Sequence, residues 1–207
     1  MSEQGRRQPH QRRSAATVDA IVVAARALLQ EHDDATCLTV RTVAERADLS
    51  PAAVYRYFEN LDQVIDAVLA QHAALAEHTI AATLAAQAQR TPVGLFREVV
   101  QSYLTLYTER PDLTVEFRSP TLARRHRELE TASDRRLATI LGSRLHDLGL
   151  LDGLDTTTLD RLTAHWNAVG SMIGEVLRSS DATRPALRVD LDALVVHAAA
   201  RFTHEAG

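Results

Sequence analysis

Apolar residues recur at helical spacing through most of this chain, and this periodicity is the feature that most narrows its possible folds. In the first such stretch, Ile21, Val22, Ala25, Leu28 and Leu29 stand at offsets 0, 1, 4, 7 and 8, which places them on one face of a helix. No stretch of useful length alternates apolar and polar residues as a half-buried strand does. The pattern therefore predicts an all-α fold of about nine helices.

Capping residues and prolines divide the chain into these helices. Ser50 followed by Pro51 is typical of a helix start, because a serine oxygen can accept from a free backbone N–H and proline is tolerated at the first helical position. Asn60 with Gln63 three residues later resembles a capping box at the start of a long helix. Further starts are predicted at Thr91-Pro92, Pro111, Ser119-Pro120, Thr156 and Pro185.

The charge of the chain is unevenly distributed. Its net charge of −4 at first argues against a nucleic-acid partner. The first 60 residues are electrically balanced, however, so the excess of acids lies entirely in residues 61–207. Residues 1–13 are polar and rich in arginine, and we expect them to form a flexible arm.

Several classes of protein are disfavoured by what the sequence lacks. The single cysteine, Cys37, excludes an internal disulfide framework, and the N-terminal residues lack the apolar segment of a secretory signal. Residues 162–174, the longest fairly apolar stretch without charge, are too few to span a bilayer. No HExxH, GxSxG, CxxC or Gly-rich phosphate loop occurs. We expect a cytoplasmic protein that is not an enzyme, with no membrane partner, catalytic residue, cofactor or metal site.

Residues 39–58 are the part of the sequence most informative about function. They predict two short helices joined by about three residues, which is helix-turn-helix spacing. The outer first turn of the second helix carries only small groups, as close entry into a DNA major groove requires. Phenolic and guanidinium donors suited to phosphate oxygens follow at once. The small groups are Ser50, Ala52 and Ala53, and the donors are Tyr55, Arg56 and Tyr57.

With these residues the chain resembles the TetR/AcrR-type bacterial transcriptional regulators. The resemblance covers about residues 17–70 and is carried by Thr39-Val40, Val43-Ala44, Ala47-Asp48-Leu49-Ser50, Tyr55-Arg56-Tyr57-Phe58 and Asn60-Leu61. Two positions depart from the family pattern. Leu61 stands where a phosphate-contacting lysine is common. Asp48 stands where the turn has glycine, and an aspartate can adopt the same left-handed conformation.

The resemblance implies a DNA-binding domain of three helices at residues 14–60, preceded by the arm. It implies a ligand-binding and dimerising helical bundle at residues 61–207, with residues 61–80 as a linking helix. The implied function is that of a repressor that binds a near-palindromic duplex operator as a homodimer and is released by a small-molecule effector. The implied phosphate contacts are Thr39, Tyr55 and Tyr57, and the residues near base edges or the backbone are Arg41, Thr42, Ser50, Ala52, Ala53 and Arg56.

The C-terminal half carries its own indication of dimerisation. Gly170 and Gly174 lie four residues apart in one predicted helix, where each glycine costs about 1 kcal/mol relative to alanine, so their presence suggests close approach of another helix. Together with Ile173, and with Leu194 and Ala198 of the last helix, they are predicted to lie in a four-helix dimer interface. Close approach within one subunit explains the same glycines, and both interpretations stay open.

A ligand pocket is predicted where polar and aromatic residues interrupt apolar helix faces. A cavity among them would suit a mostly apolar, flat molecule with a few hydrogen-bonding groups. Ordinary core aromatics would give the same pattern. Two other functions also stay open, a helical protein-interaction module and an enzyme without DNA binding, as does a redox role for Cys37. The predicted ligand-binding residues are Tyr103, Tyr107, Phe117, His165, Trp166 and Asn167.

Overall fold

The fold is all-helical, as the periodicity predicts. The computed structural model describes residues 4–32, 34–86 and 91–202, and these contain nine α-helices, one short 3-10 turn at Ala35–Cys37 and no strand. The helices are α1 Gln4–His32, α2 Val40–Arg46, α3 Pro51–Tyr55, α4 Leu61–Ala86, α5 Pro92–Glu109, α6 Pro111–Arg118, α7 Pro120–Asp147, α8 Thr156–Arg178 and α9 Arg184–Ala200.

The first helix begins earlier than the sequence predicts. Helix α1 starts at Gln4, so residues 4–13 have helical backbone where the sequence analysis expects an arm outside the helices. The apolar stripe begins only near Ile21, and Pro9 lies in the extension, so periodicity gave no reason to carry the helix toward the N-terminus. Residues 1–3 of the predicted arm lie outside the described residues.

Helix starts follow local capping chemistry. Thr91 accepts a hydrogen bond from the Gly94 N–H at 3.2 Å at the start of α5, and Asp155 accepts from the Thr158 N–H at 2.8 Å at the start of α8. Proline occupies the first or second position of α3, α5, α6, α7 and α9. The boundaries predicted from threonine, serine and proline therefore hold for these helices.

Two large apolar cores organise the chain. The N-terminal core joins α1, α2, α3 and the first half of α4, with Ile21, Val43 and Val54 among its fully buried members. The C-terminal core joins the end of α4 with α5, α7, α8 and α9. Helices α7 and α8 approach closely at Gly142, where an added Cβ would lie 2.9 Å from Leu162 Cδ1 of α8, so a larger residue would require this leucine side chain to shift.

Helix α6 belongs to neither core alone. Val115 of α6 and Leu122 of α7 are buried in the N-terminal core, while Leu113 and Phe117 are buried in a smaller cluster with Tyr107 of α5. One short helix thus packs against both halves of the molecule. Of the helices that the structure describes, none combines the length and the hydropathy needed to cross a membrane.

Candidate nucleic-acid interface and effector region

Helix α2 starts with two threonines that cap each other. The Thr42 N–H donates to Thr39 Oγ1 at 3.0 Å, and the Thr39 N–H donates to Thr42 Oγ1 at 2.9 Å, so the pair forms a capping box without glutamate or glutamine. Both hydroxyls, which the sequence predicts to lie near DNA, therefore stabilise the start of α2. Arg41 of the same helix is exposed over 82% of its side chain and pairs with Glu45 at 2.8 Å.

The turn between α2 and α3 has a left-handed residue at Asp48, with φ of 55°. The Leu49 N–H donates to the Ala44 carbonyl oxygen at 2.9 Å and the Asp48 N–H donates to that of Glu45 at 3.3 Å, which is a Schellman motif. Glycine is the usual residue at this position because a Cβ is strained there. At position 48 the residue thus differs from the family pattern, while the backbone has the left-handed conformation that glycine usually adopts there.

An Asp48→Gly variant is expected to be more stable by about 1 kcal/mol, because glycine has no Cβ to strain at positive φ. It is also expected to bind duplex DNA more tightly, because an exposed acid beside the turn is removed. Urea unfolding measures the first effect and a DNA titration the second. Asp48→Asn is the matched control, since it removes the charge but keeps a Cβ. If the glycine variant were no more stable than the wild type, the left-handed conformation of Asp48 would not be strained.

Helix α3 presents a small outer surface on a firmly anchored base. Ser50 Oγ accepts from the Ala53 N–H at 3.2 Å, and Val54 on the inner side is fully buried. Ala52 is exposed and Ala53 half-buried, so the two residues after Pro51 project only methyl groups. The N-terminus of α3 can therefore approach a flat or grooved partner closely.

The aromatic residues that follow α3 have two different roles. Tyr55 is 56% exposed and available to a partner. Tyr57 is half-buried against the N-terminal core, and hydrogen bonds from Arg56, then from Ser14 and Thr17 of α1, lower the pKa of its phenol. Arg56 Nη2 lies 3.4 Å from Tyr57 Oη, with the guanidinium 5.6 Å from the ring centre. Tyr57 thus fastens the end of this unit to α1.

Helix α4 starts with the predicted cap, in a variant arrangement. The Gln63 N–H donates to Asn60 Oδ1 at 3.0 Å, while Gln63 Oε1 accepts from the Glu59 N–H at 2.8 Å, one residue before the cap. Leu61, which replaces the common lysine, packs against the N-terminal core. A phosphate at this helix start would therefore meet polar groups such as backbone N–H groups in place of a lysine.

Cys37 is held inside the loop that precedes α2. Its thiol donates to the Asp34 carbonyl oxygen, with 3.0 Å between the heavy atoms, and burial raises the thiol's pKa, with nearby Asp34 and Glu31 raising it further. A higher pKa means less thiolate at neutral pH, which opposes a redox role.

Cys37 is therefore expected to react with a disulfide reagent more slowly in the native protein than in the urea-unfolded chain at the same pH. The released thiolate, followed by absorbance, measures the rate. Equal rates in the two states would show that the thiol is not protected in the native protein, as a redox role would require.

A hydrogen-bonded link joins the two halves of the molecule beside α6. The buried Ser119 donates from Oγ to Asp34 Oδ1 at 3.1 Å, and the Thr36 hydroxyl donates to Asp34 Oδ2 at 2.8 Å. These bonds, that of Thr36 first, lower the pKa of the Asp34 carboxyl. Arg125 of α7 adds a bidentate pair to Asp66 of α4 at 2.5 and 2.6 Å.

Four of the six predicted ligand residues come together as an aromatic row. Tyr103 and Tyr107 lie with their hydroxyl oxygens 3.3 Å apart, and Phe117 meets the Tyr107 ring edge-on at 5.0 Å between centroids. Trp166 meets Tyr103 edge-on at 6.2 Å. His126 of α7 continues the row at 5.3 Å from Phe117, a contact that no sequence pattern indicated.

The other two predicted ligand residues lie elsewhere. His165 faces Phe202 at 5.5 Å between ring centres, and burial lowers the pKa of its imidazole. Asn167 is exposed and its amide donates to Asp134 Oδ2 at 2.6 Å. Three consecutive helical residues point about 100° apart, so they could not all join one face, and this signal was present in the sequence.

A cavity of about 190 Å³ lies at one end of the aromatic row. Phe117 and His126 form one side of it, and Gly170 and Gly174 of α8 form another. A Cβ at Gly174 would lie 3.5 Å from Phe117 Cδ1, so this glycine lies in contact with its own subunit. Gly174 thus lies within its own chain, but its surroundings leave room for a Cβ, so close approach does not by itself explain the glycine.

The predicted dimer interface is wrong for its most buried members. Ile173 and Ala198 are completely buried in the C-terminal core, and Gly174 is also buried, so none of the three offers surface to a second chain. Leu194 and Gly170 are half-buried. The apolar spacing that suggested an interface marks the inner faces of α8 and α9.

The outer faces of α8 and α9 carry a second apolar pattern. On α9 the exposed apolar residues follow spacings of three and four, which is typical of helices packed at shallow angles, and Val189 is 70% exposed. We name these positions the outer seam. It consists of Ala186, Val189, Ala193, Val196 and Ala200 of α9 and the exposed small residues Ala164, Ala168 and Ser171 of α8.

Comparison with known proteins agrees with the geometry. Residues 21–68 match the family model of bacterial regulatory proteins, tetR family. No curated protein matches the chain in sequence.

Solved structures match over nearly the whole chain. A TetR-family transcriptional regulator from Streptomyces coelicolor is 19% identical, with a TM-score of 0.67 over 90% of this chain and 99% of its own. The regulator FadR from Bacillus subtilis, in complex with stearoyl-CoA, is 16% identical, with a TM-score of 0.56 over 91% and 98%.

SmeT from Stenotrophomonas maltophilia, in complex with triclosan, is 21% identical, with a TM-score of 0.57 over 92% and 93%. At these identities the structures show a shared fold.

Proposed function

We propose that this chain is a TetR-type regulator that represses transcription from a near-palindromic operator. Its helix-turn-helix residues match the tetR family model, and its fold is that of TetR-family regulators. The observation that supports this most is the start of α3. Its exposed Ala52 and half-buried Ala53 stand on a buried base, between the Ser50 cap and the exposed Tyr55. Small groups there suit entry into the major groove, and the tyrosine suits a flanking phosphate.

The dimer that such an operator requires is proposed to form through the outer seam. Exposed apolar side chains at helical spacing on α9, beside small residues on α8, suit a four-helix contact across a two-fold axis. Two recognition helices would then lie about 34 Å apart, or a multiple of this, which matches successive major grooves on one side of a duplex.

Release by an effector is proposed to work through α6. Val115 of this helix lies in the N-terminal core, while Phe117 lies in the aromatic row. A ligand that prefers one position of α6 would also favour one position of the DNA-binding unit, and operator affinity would fall by the difference in ligand affinity between the two conformers. The structures of FadR with stearoyl-CoA and SmeT with triclosan support a small-molecule effector.

Selection of bound duplexes from a random pool tests this function. The wild-type protein is expected to enrich a palindrome whose half-sites are spaced by about one helical turn or a multiple of it. Binding to the enriched duplex is expected to weaken steeply as salt is raised. Failure to enrich any palindrome would overturn the proposal and favour a helical protein-interaction module.

A further inference from the structure

Two adjoining cavities lie along α5 and α9, apart from the cavity beside Phe117 and His126. The first, of about 270 Å³, is bounded by α5, α6, α8 and α9, and we name it the arginine cavity after Arg118, Arg184 and Arg188 in its wall. The second, of about 360 Å³, runs between α5 and α9, and we name it the apolar groove. Both are lined by Leu104 and Arg188, so one molecule can extend from the first into the second.

The wall of the arginine cavity carries three guanidinium groups and no carboxylate. Arg184 is held in place, since its Nη2 donates to the Ser179 carbonyl oxygen at 2.7 Å and its Nη1 to the exposed Asp181 at 2.8 Å. Arg188 forms no ion pair with any carboxylate of the described residues. Guanidinium groups match carboxylate and phosphate oxygens in geometry, so the lining of the cavity suits an anion.

The position of these arginines on α9 strengthens the case. Arg184 and Arg188 lie in the first turns of α9, at the positive end of the helix dipole, where cations are disfavoured and anions are stabilised. The first turn contains no acidic residue, and Thr183 before it makes no side-chain cap. Positive charge is thus accumulated at the start of α9, where the exposed Asp181 just before the helix is the carboxylate bonded to Arg184.

The apolar groove continues from Arg188 between Val100 and Leu104 of α5 and Leu191 and Val195 of α9. Two of its charged members neutralise each other. Arg97 and Asp192 at its edge pair with each other through two contacts of 2.7 Å.

Glu98 also lines the apolar groove. It has one buried carboxyl oxygen without a hydrogen-bond partner among the described residues, and burial raises the pKa of this group, which favours its neutral form. An uncharged aliphatic chain in the groove would not be repelled by this carboxyl group.

We propose that the arginine cavity and the apolar groove together bind an amphiphilic anion, with its carboxylate or phosphate at Arg184 and Arg188 and its aliphatic part between α5 and α9. This proposal identifies the chemical class of the effector, and it therefore rests on the proposed function. Arg118 and Thr114 of α6 also line the arginine cavity, so the bound anion contacts the helix that enters both cores.

Calorimetric titration of the full-length protein with four probes below their micelle concentrations tests the binding. Dodecanoate is expected to bind, whereas acetate, methyl dodecanoate and dodecyltrimethylammonium are expected to bind at least about tenfold more weakly, because each lacks either the chain or the anion. Equal binding of the anionic and cationic probes, or no binding of dodecanoate, would overturn the proposal. So would capture by phosphatidylglycerol vesicles without binding of the free anion, since the ligand would then be a membrane surface.

Variants locate the site. Arg188→Gln and, separately, Arg184→Gln are expected to weaken dodecanoate binding by about tenfold each, because a charge-assisted hydrogen bond is lost. Arg135→Gln, an exposed arginine of α7 paired with Asp160, is the matched control and is expected to leave binding unchanged. Unweakened binding in both α9 variants would overturn the assignment, and thermal unfolding checks that each variant is folded.

A separate titration with the selected duplex tests the regulatory role. Dodecanoate is expected to lower operator affinity in the wild type and not in Arg188→Gln. Dodecanoate binding with unchanged operator affinity would overturn its role as effector. Absence of any DNA binding would refute the proposed function alone, because the calorimetric result is obtained without DNA.

Discussion

An Ala52→Glu variant is expected to lose about 100-fold or more in operator affinity while keeping its fold. The glutamate would project from the exposed first turn of α3 toward the DNA, where it blocks close approach and meets phosphate charge. A dimer would carry the change in both recognition helices. Fluorescence anisotropy with the selected duplex measures the loss.

The same substitution is expected to preserve or slightly raise stability. Position 52 is the second residue of α3, after the Ser50 cap and Pro51, and a carboxylate near a helix N-terminus is favourable. Ala74→Glu, at an exposed position of α4, is the matched control and is expected to leave affinity unchanged. If Ala52→Glu bound the operator within about threefold of the wild type, α3 would not be the recognition helix.

The double variant Val189→Glu with Ala193→Glu is expected to convert the proposed dimer into a monomer. Both side chains are exposed in the single chain, so the fold does not depend on them. Across a two-fold axis they would face their own copies, and four carboxylates would replace apolar contact with repulsion. Sedimentation equilibrium at micromolar concentration measures the mass, and operator affinity is expected to fall along with it.

Ala74→Glu serves as control here too, because it adds the same charge outside the outer seam. If the double variant still formed a dimer, the interface would have to lie outside the outer seam. If the wild-type protein were a monomer at this concentration, dimerisation would be contradicted both for the outer seam and for the interface predicted from the sequence.

Local features of this fold could be predicted from the sequence because their causes are local. Ser50, Thr91 and Asp155 cap helices through bonds to N–H groups three residues ahead, so the chemistry lies within one turn. The left-handed conformation of Asp48 was likewise expected from its place in a helix-turn-helix pattern. Such features need no knowledge of what the helices pack against.

Features that depend on the third dimension were predicted less well. Apolar spacing on α8 and α9 indicated a helix contact at Ile173 and Ala198, but spacing cannot distinguish a core from an interface, and both residues are in the core. The α9 part of the outer seam was not predicted, because three of its five members are alanines, which carry little apolar signal. The arginine cavity was also invisible in the sequence, since Arg118 and Arg188 are 70 residues apart in the chain.

Helix α6 has a consequence for protein engineering. The N-terminal core is completed by Val115 and Leu122, so a fragment ending at residue 60 or 86 would leave a cavity in this core. A chimera that joins the N-terminal helices to another helical bundle therefore has to include residues 111–122, or supply a helix of matching shape. The unit that can be exchanged is discontinuous in the chain.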